Sequence, residues 1–544
     1  MKFIKKNYLL ILLIILTIFR FYISYNLPNY YFKNLGYDDT LMFELANNIY
    51  NGNYLGNYSS ITLIKGFIFP LFISLFKLIN LPFSLGITIL YIVSCLFFTN
   101  SLKGIIKNNY LKILYLLLLF NPISYSMELF QRLYRNSLSI IETLFFFSFI
   151  IRIIKTDTLK KNIINYLLLG ITTSIMYLTR EDNIWCMIIL ILLFLYKFIK
   201  NNKTIKSFFY NLSPIIILFI LLNIVSFINY KYYGLYTYNE LSNSSFKDAY
   251  IKIQQIKDTK KINRVSITKE SLQNLADVSK VFDITREDID KFYENLADKD
   301  TNEINNAHII WYLRHLIYSK KKFENAYDAN LYFKNLANEI DELFKEGKLE
   351  KEFVIKSVFI NTPSLNDLKI IPSNLLEIIE YTSSYKNVRS ISLNELKQIP
   401  IIKYEENNNT YYTYYKDYND TENLITKNIK SFEFIRIFYQ YFTIIFSFIC
   451  VIIYFINIKK IFNKNMFITT LILITYSIII LGVTITNTTG FHAIRYYYLG
   501  NVYILQTIFI ILNLNGVKYE RFRVNNFITL FKRRKNNRKM YTRS

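Results

Sequence analysis

Residues 61–79 read ITLIKGFIFPLFISLFKLI, and whether this stretch crosses a membrane decides the topology of the whole chain. Its uninterrupted apolar run, Gly66–Phe76, is eleven residues long, contains Pro70 and is closed by Lys65 and Lys77. A helix that spans a bilayer needs about 20 apolar residues. The stretch is therefore expected to re-enter or lie in the interface rather than cross.

Around it the chain is too apolar for an ordinary soluble protein of 544 residues: 52% of residues are hydrophobic and the mean hydropathy is +0.19. The apolar residues come in blocks, and the windows Met187–Tyr196, Ile215–Ile228 and Phe442–Ile456 hold no charge. Ten blocks read as spans: 8–26, 83–100, 112–126, 137–154, 163–179, 183–199, 207–229, 437–457, 465–486 and 495–514. The first follows Lys2, Lys5 and Lys6 without a small-residue cleavage site, which predicts an uncleaved anchor. With that basic start inside and 61–79 not crossing, the loops Lys103–Lys107, Lys155–Lys161, Lys197–Lys206, Lys459–Lys464 and the tail all fall inside. If 61–79 crossed, every one would flip outward, so the positive-inside rule selects ten spans and one half-inserted element.

The fold expected is an all-α polytopic membrane protein. Residues 1–229 form a seven-span module, 230–436 an extracytoplasmic and mainly helical domain, 437–514 three C-terminal spans, and 515–544 a basic cytoplasmic tail. In the 230–436 unit, Glu324–Phe344 has a helical pattern of apolar residues and Gly347 is placed to end it.

The net charge of +25 does not indicate nucleic acid. Ten Lys/Arg against one Glu lie between Lys518 and Arg543, which gives +9 there, and most of the rest sits in short loops between apolar blocks. Anionic lipid headgroups are a sufficient partner for that pattern. The many Asn, Ile, Lys and Tyr residues follow a composition bias of AT-rich coding sequence, so single Asn or Lys residues carry little information. Cys95, Cys186 and Cys450 all lie in apolar blocks, with no spacing for a zinc site.

This topology puts 27–82, 127–136, 180–182, 230–436 and 487–494 outside. In the first of these, Asp39 or Thr40 caps a helix with an apolar face of Leu41, Met42, Leu45, Ala46, Ile49 and Tyr50, ending at Gly52. Such a helix lies flat on the membrane and sets Asp38 and Asp39 at the bilayer boundary. Lys65 stands at the mouth of the 61–79 block; Glu128, Arg132 and Arg135 precede the fourth span; Arg180, Glu181 and Asp182 make a tight turn; His492 and Arg495 open the last span. Outer loops are depleted in arginine, so Arg180 in so short a turn stands out. Carboxylates that can act as a general base, together with guanidinium groups that pair with phosphate oxygens, make up the inventory for transferring a group from a lipid phosphate at the bilayer edge. Taken singly, each residue also has a plain role: a loop Asp caps a helix, and a terminal Arg anchors to the interface. Arg20 and Glu142 lie within spans, in their outward halves, where they either act in function or snorkel outward.

Gly36-Tyr37-Asp38-Asp39 followed by the flat helix, then Thr62-Leu63-Ile64-Lys65-Gly66 with Pro70-Leu71-Phe72, resembles the first outer loop of the GT-C superfamily of membrane glycosyltransferases. The likeness is to bacterial relatives of the protein O-mannosyltransferases and the lipid A aminoarabinose transferases. Leu178–Trp185, the Arg135 segment after Asn121-Pro122, and Arg495-Tyr496-Tyr497 are similar to the same group. The resemblance covers 8–229 and, more loosely, the last three spans. It implies a sugar passed from a polyprenyl-phosphate donor to a cell-envelope acceptor, with inversion, at the outer face of a bacterial cytoplasmic membrane. It makes Asp38 the acceptor-activating carboxylate and Asp39 the alternative, gives the donor phosphate to Lys65, Arg132, Arg135, Arg180 and Arg495, and gives the acceptor or sugar to Glu128, Glu181, Asp182 and His492. Gly66-Phe67-Ile68-Phe69-Pro70 departs from the paired prolines of the aminoarabinose transferases, which leaves the donor sugar open. Two adjacent acids suit enzymes with or without a divalent metal, and no metal is assigned. The competing readings are a polysaccharide ligase or polymerase, a transporter of lipid-linked substrate, and a protein whose 230–436 domain is the working part.

Overall fold

The computed structural model describes residues 2–25, 38–156, 158–200, 204–259, 261–355, 357–390, 418–494 and 498–516. Among them the regular structure is helical throughout, with no strand. The first five helices are α1 (Lys2–Tyr25), α2 (Asp38–Tyr50), α3 (Ile68–Leu78), α4 (Phe83–Ser101) and α5 (Asn108–Leu119); α6 (Asn136–Lys155), α7 (Leu159–Thr179), α8 (Trp185–Lys200) and α9 (Ile205–Tyr233) follow. A polar region holds α10 (Ser245–Gln254), α11 (Lys269–Val278), α12 (Arg286–Leu296), α13 (Asn306–Lys321), α14 (Ala326–Lys345) and α15 (Leu365–Ser384). The chain then returns to apolar helices α16 (Tyr418–Asn457), α17 (Lys464–Ile485) and α18 (Gly500–Gly516). Seven stretches among the described residues are long and apolar enough to cross a membrane, in α4, α6, α7, α8, α9, α16 and α17, while Leu9–Ser24, Ile68–Leu78 and Gly500–Asn515 are shorter apolar helices. The protein is an all-helical, membrane-embedded, multi-pass protein.

Helix directions follow from cross-helix hydrogen bonds. Thr17 meets the Tyr115 hydroxyl at 2.7 Å and Arg20 Nε donates to Leu119 O at 3.0 Å, so α1 runs parallel to α5. The short loop 102–107 makes α4 antiparallel to both. The chain thus finishes α1 and begins α4 at the same end of the bundle, and 38–82 stays there. At the opposite end the basic loops gather: Lys155 Nζ donates to Ser101 O at 3.0 Å, Lys197 Nζ to Thr156 O at 3.0 Å, and Lys464 Nζ to Lys155 O at 2.9 Å. The 61–79 stretch folds as α3 alongside α2. Lys65 ahead of α3 meets Asp38 at the start of α2, and Lys77 near its end donates to Asn47 at 3.2 Å and lies over the Tyr50 ring at 4.2 Å.

One expected span is different. Residues 112–126 are not a continuous helix: α5 stops at Leu119 and the chain continues as a 3₁₀ turn, Pro122–Tyr125, and a π turn, Met127–Gln131. Pro122 has no N–H and disfavours helical backbone at Asn121, whose side chain instead caps Ile123 N at 3.2 Å. A helix end inside a bundle exposes carbonyls with no water to satisfy them. Here they are taken in order: Tyr439 donates to Leu117 O, Tyr91 to Leu118 O at 2.5 Å, Arg20 to Leu119 O, and Tyr125 to Phe120 O at 3.3 Å. Arg20 also donates to Ser24 and, through Nη2, to Ser124 O at 2.7 Å. It is fully buried, so it does not snorkel; it caps the broken helix.

The 230–436 unit has a core of its own that runs from Leu241 to Val358, and this core takes in Ile64 from the first loop. In contrast, Ile378, Tyr385 and Val388 of the α15 region belong to the core of the bundle. The helix expected at Glu324–Phe344 is α14, capped by Asn325, with Gly347 in left-handed backbone (φ +70°) just past it.

Candidate functional site

The end of the bundle that carries α2 and α3 brings together eight of the charged residues singled out in the sequence. Helix α2 begins at Asp38, and its next residue turns inward: Asp39 is 0% exposed and receives Arg132 in a two-pronged pair, Nε–Oδ2 2.8 Å and Nη2–Oδ1 2.6 Å. Asp38 has a side chain 33% exposed. Its Oδ2 accepts from Lys65 Nζ at 2.9 Å and from the Tyr134 hydroxyl at 2.8 Å, with Arg135 Nη2 at 4.0 Å. All three contacts converge on one oxygen. Burial pushes the Asp38 carboxyl up, but Lys65 and Arg135 outweigh it and hold it well below the usual carboxylate range.

Arg135 links Asp38 to the next turn, with Nη1 3.2 Å from Glu181 Oε2 and 3.4 Å from Thr179 O. Arg180 folds back on Asp182, Nε–Oδ1 2.8 Å, and also donates to Asn136 at the start of α6. Against its burial, Arg180 holds the Asp182 carboxyl below its ordinary value. The loop carrying Lys65 is fixed against this turn by Gly66, where a Cβ would lie 1.7 Å from Leu178 O. Any side chain at 66 would push the Lys65 loop away from the Arg180 turn.

The polar domain reaches into the same place. Asn239 Nδ2 donates to Glu181 Oε1 at 2.9 Å and to Ile64 O at 3.1 Å, and Lys65 Nζ lies 4.7 Å from the centre of the Trp311 ring on α13. One turn along α13, the buried Arg314 pairs with Glu240 and donates from Nε to Ser60 O at 2.6 Å, tying the domain to the first loop.

Asp38, Asp39, Lys65, Arg132, Arg135, Arg180, Glu181 and Asp182 thus lie together in one cluster of ion pairs. Glu128 is half-buried on the π turn four residues before Arg132. His492 is exposed and pairs with Arg264 of the polar domain at 2.7 Å. Arg495 lies outside the described residues, as do Gly36 and Tyr37. The sequence reading missed Tyr134, Asn239 and Trp311. Tyr134 had a local signal, an aromatic set between Arg132 and Arg135; Asn239 and Trp311 had none, because only the folded domain brings them near Lys65. Among the described residues no group of three His, Cys, Asp or Glu side chains could hold a metal ion. Asp38 and Asp39 point to different cations and do not share a ligand position.

No family model, curated protein or solved structure matches this chain.

Proposed function

We propose that the chain is a glycosyltransferase of GT-C type, with ten spans and the Asp38 site on the outer face of a bacterial cytoplasmic membrane, and that it transfers a sugar from a polyprenyl-phosphate donor to a cell-envelope acceptor. The observation that carries this reading is Asp38: a part-exposed carboxylate with one oxygen tied to Lys65 and Tyr134, beside Arg135 at the end of a membrane bundle. The acceptor hydroxyl attacks the anomeric carbon as the bond from that carbon to the phosphate oxygen breaks. The hydroxyl proton passes toward Asp38 Oδ1, and the phosphate departs with the bonding electrons. Lys65 and Arg135 stabilise its growing charge. A carboxylate held far below its usual range is a weak proton sink, so Asp38 chiefly orients and polarises the hydroxyl until bond formation is advanced. Glu181, held between Arg135 and Asn239, is placed to receive sugar or acceptor hydroxyls.

The gathering of the basic loops at the far end of the bundle supports the orientation. A transporter reading draws on the broken helix at Leu119, a feature of many transport proteins. Its freed carbonyls each take a side-chain donor from Tyr91, Tyr125, Tyr439 or Arg20, however, which favours a structural role for the break.

The test is a lipid and glycan comparison of deletion cells complemented with wild type or Asp38→Asn. Accumulation of a polyprenyl-phosphate sugar in both the deletion and the Asp38→Asn strain, with the variant present in the membrane at wild-type level, is the expected result. Full complementation by Asp38→Asn would remove the assigned loop. A tag after Gly52 reachable only from inside, or one between Lys103 and Lys107 reachable from outside, would overturn the orientation.

A further inference from the structure

Helix α15 has three faces, and they call for three different surroundings. One is packed: Ile378 and Thr382 are buried, Asn374 Nδ2 donates to Thr488 Oγ1 at 2.8 Å, and Ser383 O accepts from Thr443 Oγ1 at 2.5 Å. These contacts also give its depth. Ser383 Oγ accepts from Gln506 Nε2 at 3.2 Å, and Gln506 lies six residues past Gly500, about 9 Å down the axis of α18. The Tyr385 hydroxyl accepts from Asn121 Nδ2 at 3.1 Å, at the helix break inside the bundle. Tyr385 itself has left-handed backbone (φ +50°), and beyond it the chain climbs back, so that Met127 N donates to Arg389 O at 2.8 Å and Gln131 Nε2 to Ser390 Oγ at 3.0 Å. From Asn374 the chain goes down into the bundle and returns by Ser390.

The second face is an apolar stripe. Leu365, Leu368, Pro372, Leu376 and Ile379 recur at spacings of three and four, and Leu365, Leu368 and Leu376 are 79%, 54% and 67% exposed. The third face carries Lys369, Ser373, Glu377 and Glu380, also exposed. The helix packs beside α16 and α17, which themselves expose apolar side chains such as Phe448, Ile452 and Leu481. A flank with two glutamates does not tolerate acyl chains.

We infer that α15 is a re-entrant boundary helix whose leucine stripe binds lipid acyl chains while its Glu377–Glu380 flank faces water. This rests on membrane embedding alone and not on the proposed transferase activity. Single cysteines at Leu368, Leu376 and Ile379, and at Ser373 and Glu377, are spin-labelled in the full chain in phosphatidylcholine nanodiscs. The native Cys95, Cys186 and Cys450 are buried, and the protein without an added cysteine measures their background. The ratio of oxygen to nickel-chelate accessibility is expected to be severalfold higher at the three stripe positions than at Ser373 and Glu377. Nickel accessibility equal on both faces would place the helix in water and overturn the inference. Stripe positions shielded from both reagents would mean that protein, such as a second copy of the chain, covers them, and would overturn it too. Three stripe positions guard against loss of any one variant to misfolding.

Discussion

Asp38 and Asp39 are adjacent in the chain and opposite in use. Asp39 is sealed against Arg132, and removing one member of such a pair strands the other charge in the interior, which costs about 3–5 kcal/mol. Asp39→Asn is therefore expected to lower the thermal midpoint in detergent, whereas Asp38→Asn leaves it near wild type and loses activity. A midpoint drop in Asp38→Asn as large as that of Asp39→Asn would contradict the division. The depressed Asp38 carboxyl also fixes the sign of a pH effect. Its ionised form persists as pH falls through the ordinary carboxylate range near about 4 and is lost only below it. Lys65→Met takes away the nearest charge that lowers it, so the acid limb of the activity profile should move to higher pH; an unmoved limb would separate that limb from Asp38.

At the scale of elements, the sequence exposed the apolar blocks clearly and the breaks in them poorly. Residues 112–126 have a spanning composition, and hydropathy does not register that Asn121-Pro122 ends the helix at Leu119. What makes the break tolerable is supplied by Arg20, Tyr91 and Tyr439, far away in the chain, so a window along the sequence has no access to it. Arg20→Leu leaves the Leu119 and Ser124 carbonyls unpaired, at about 1–3 kcal/mol for each buried orphan. The expected result is a lower thermal midpoint, with Arg20→Lys restoring only part of it, because one ammonium group does not cover both carbonyls as the guanidinium does. Full stability in Arg20→Leu would show that the break needs no cap. In contrast, α3 was legible as a short helix because two lysines bracket an eleven-residue apolar run, and those same lysines tie it to α2 at both ends.

For the whole molecule, the candidate site is a joint product of bundle and inserted domain. Its charges were readable in the sequence because charge is scarce beside apolar blocks; Asn239 and Trp311 were not, because they come from a region where polar and aromatic residues are ordinary. Trp311→Leu is expected to cut transfer severalfold while the Arg314–Glu240 clamp keeps the domain in place, with lipid-linked sugar accumulation as the readout. Unchanged activity would reduce the domain to a support. Ile64 sits in the core of a domain whose own residues begin only at Leu241. The loop bearing Lys65 therefore leaves the ribosome long before the partners that hold it have been made. During synthesis the half-built protein has membrane helices but an unfinished candidate site, and a chain cut short before the domain is complete lacks the residues that pack around Ile64 and Lys65.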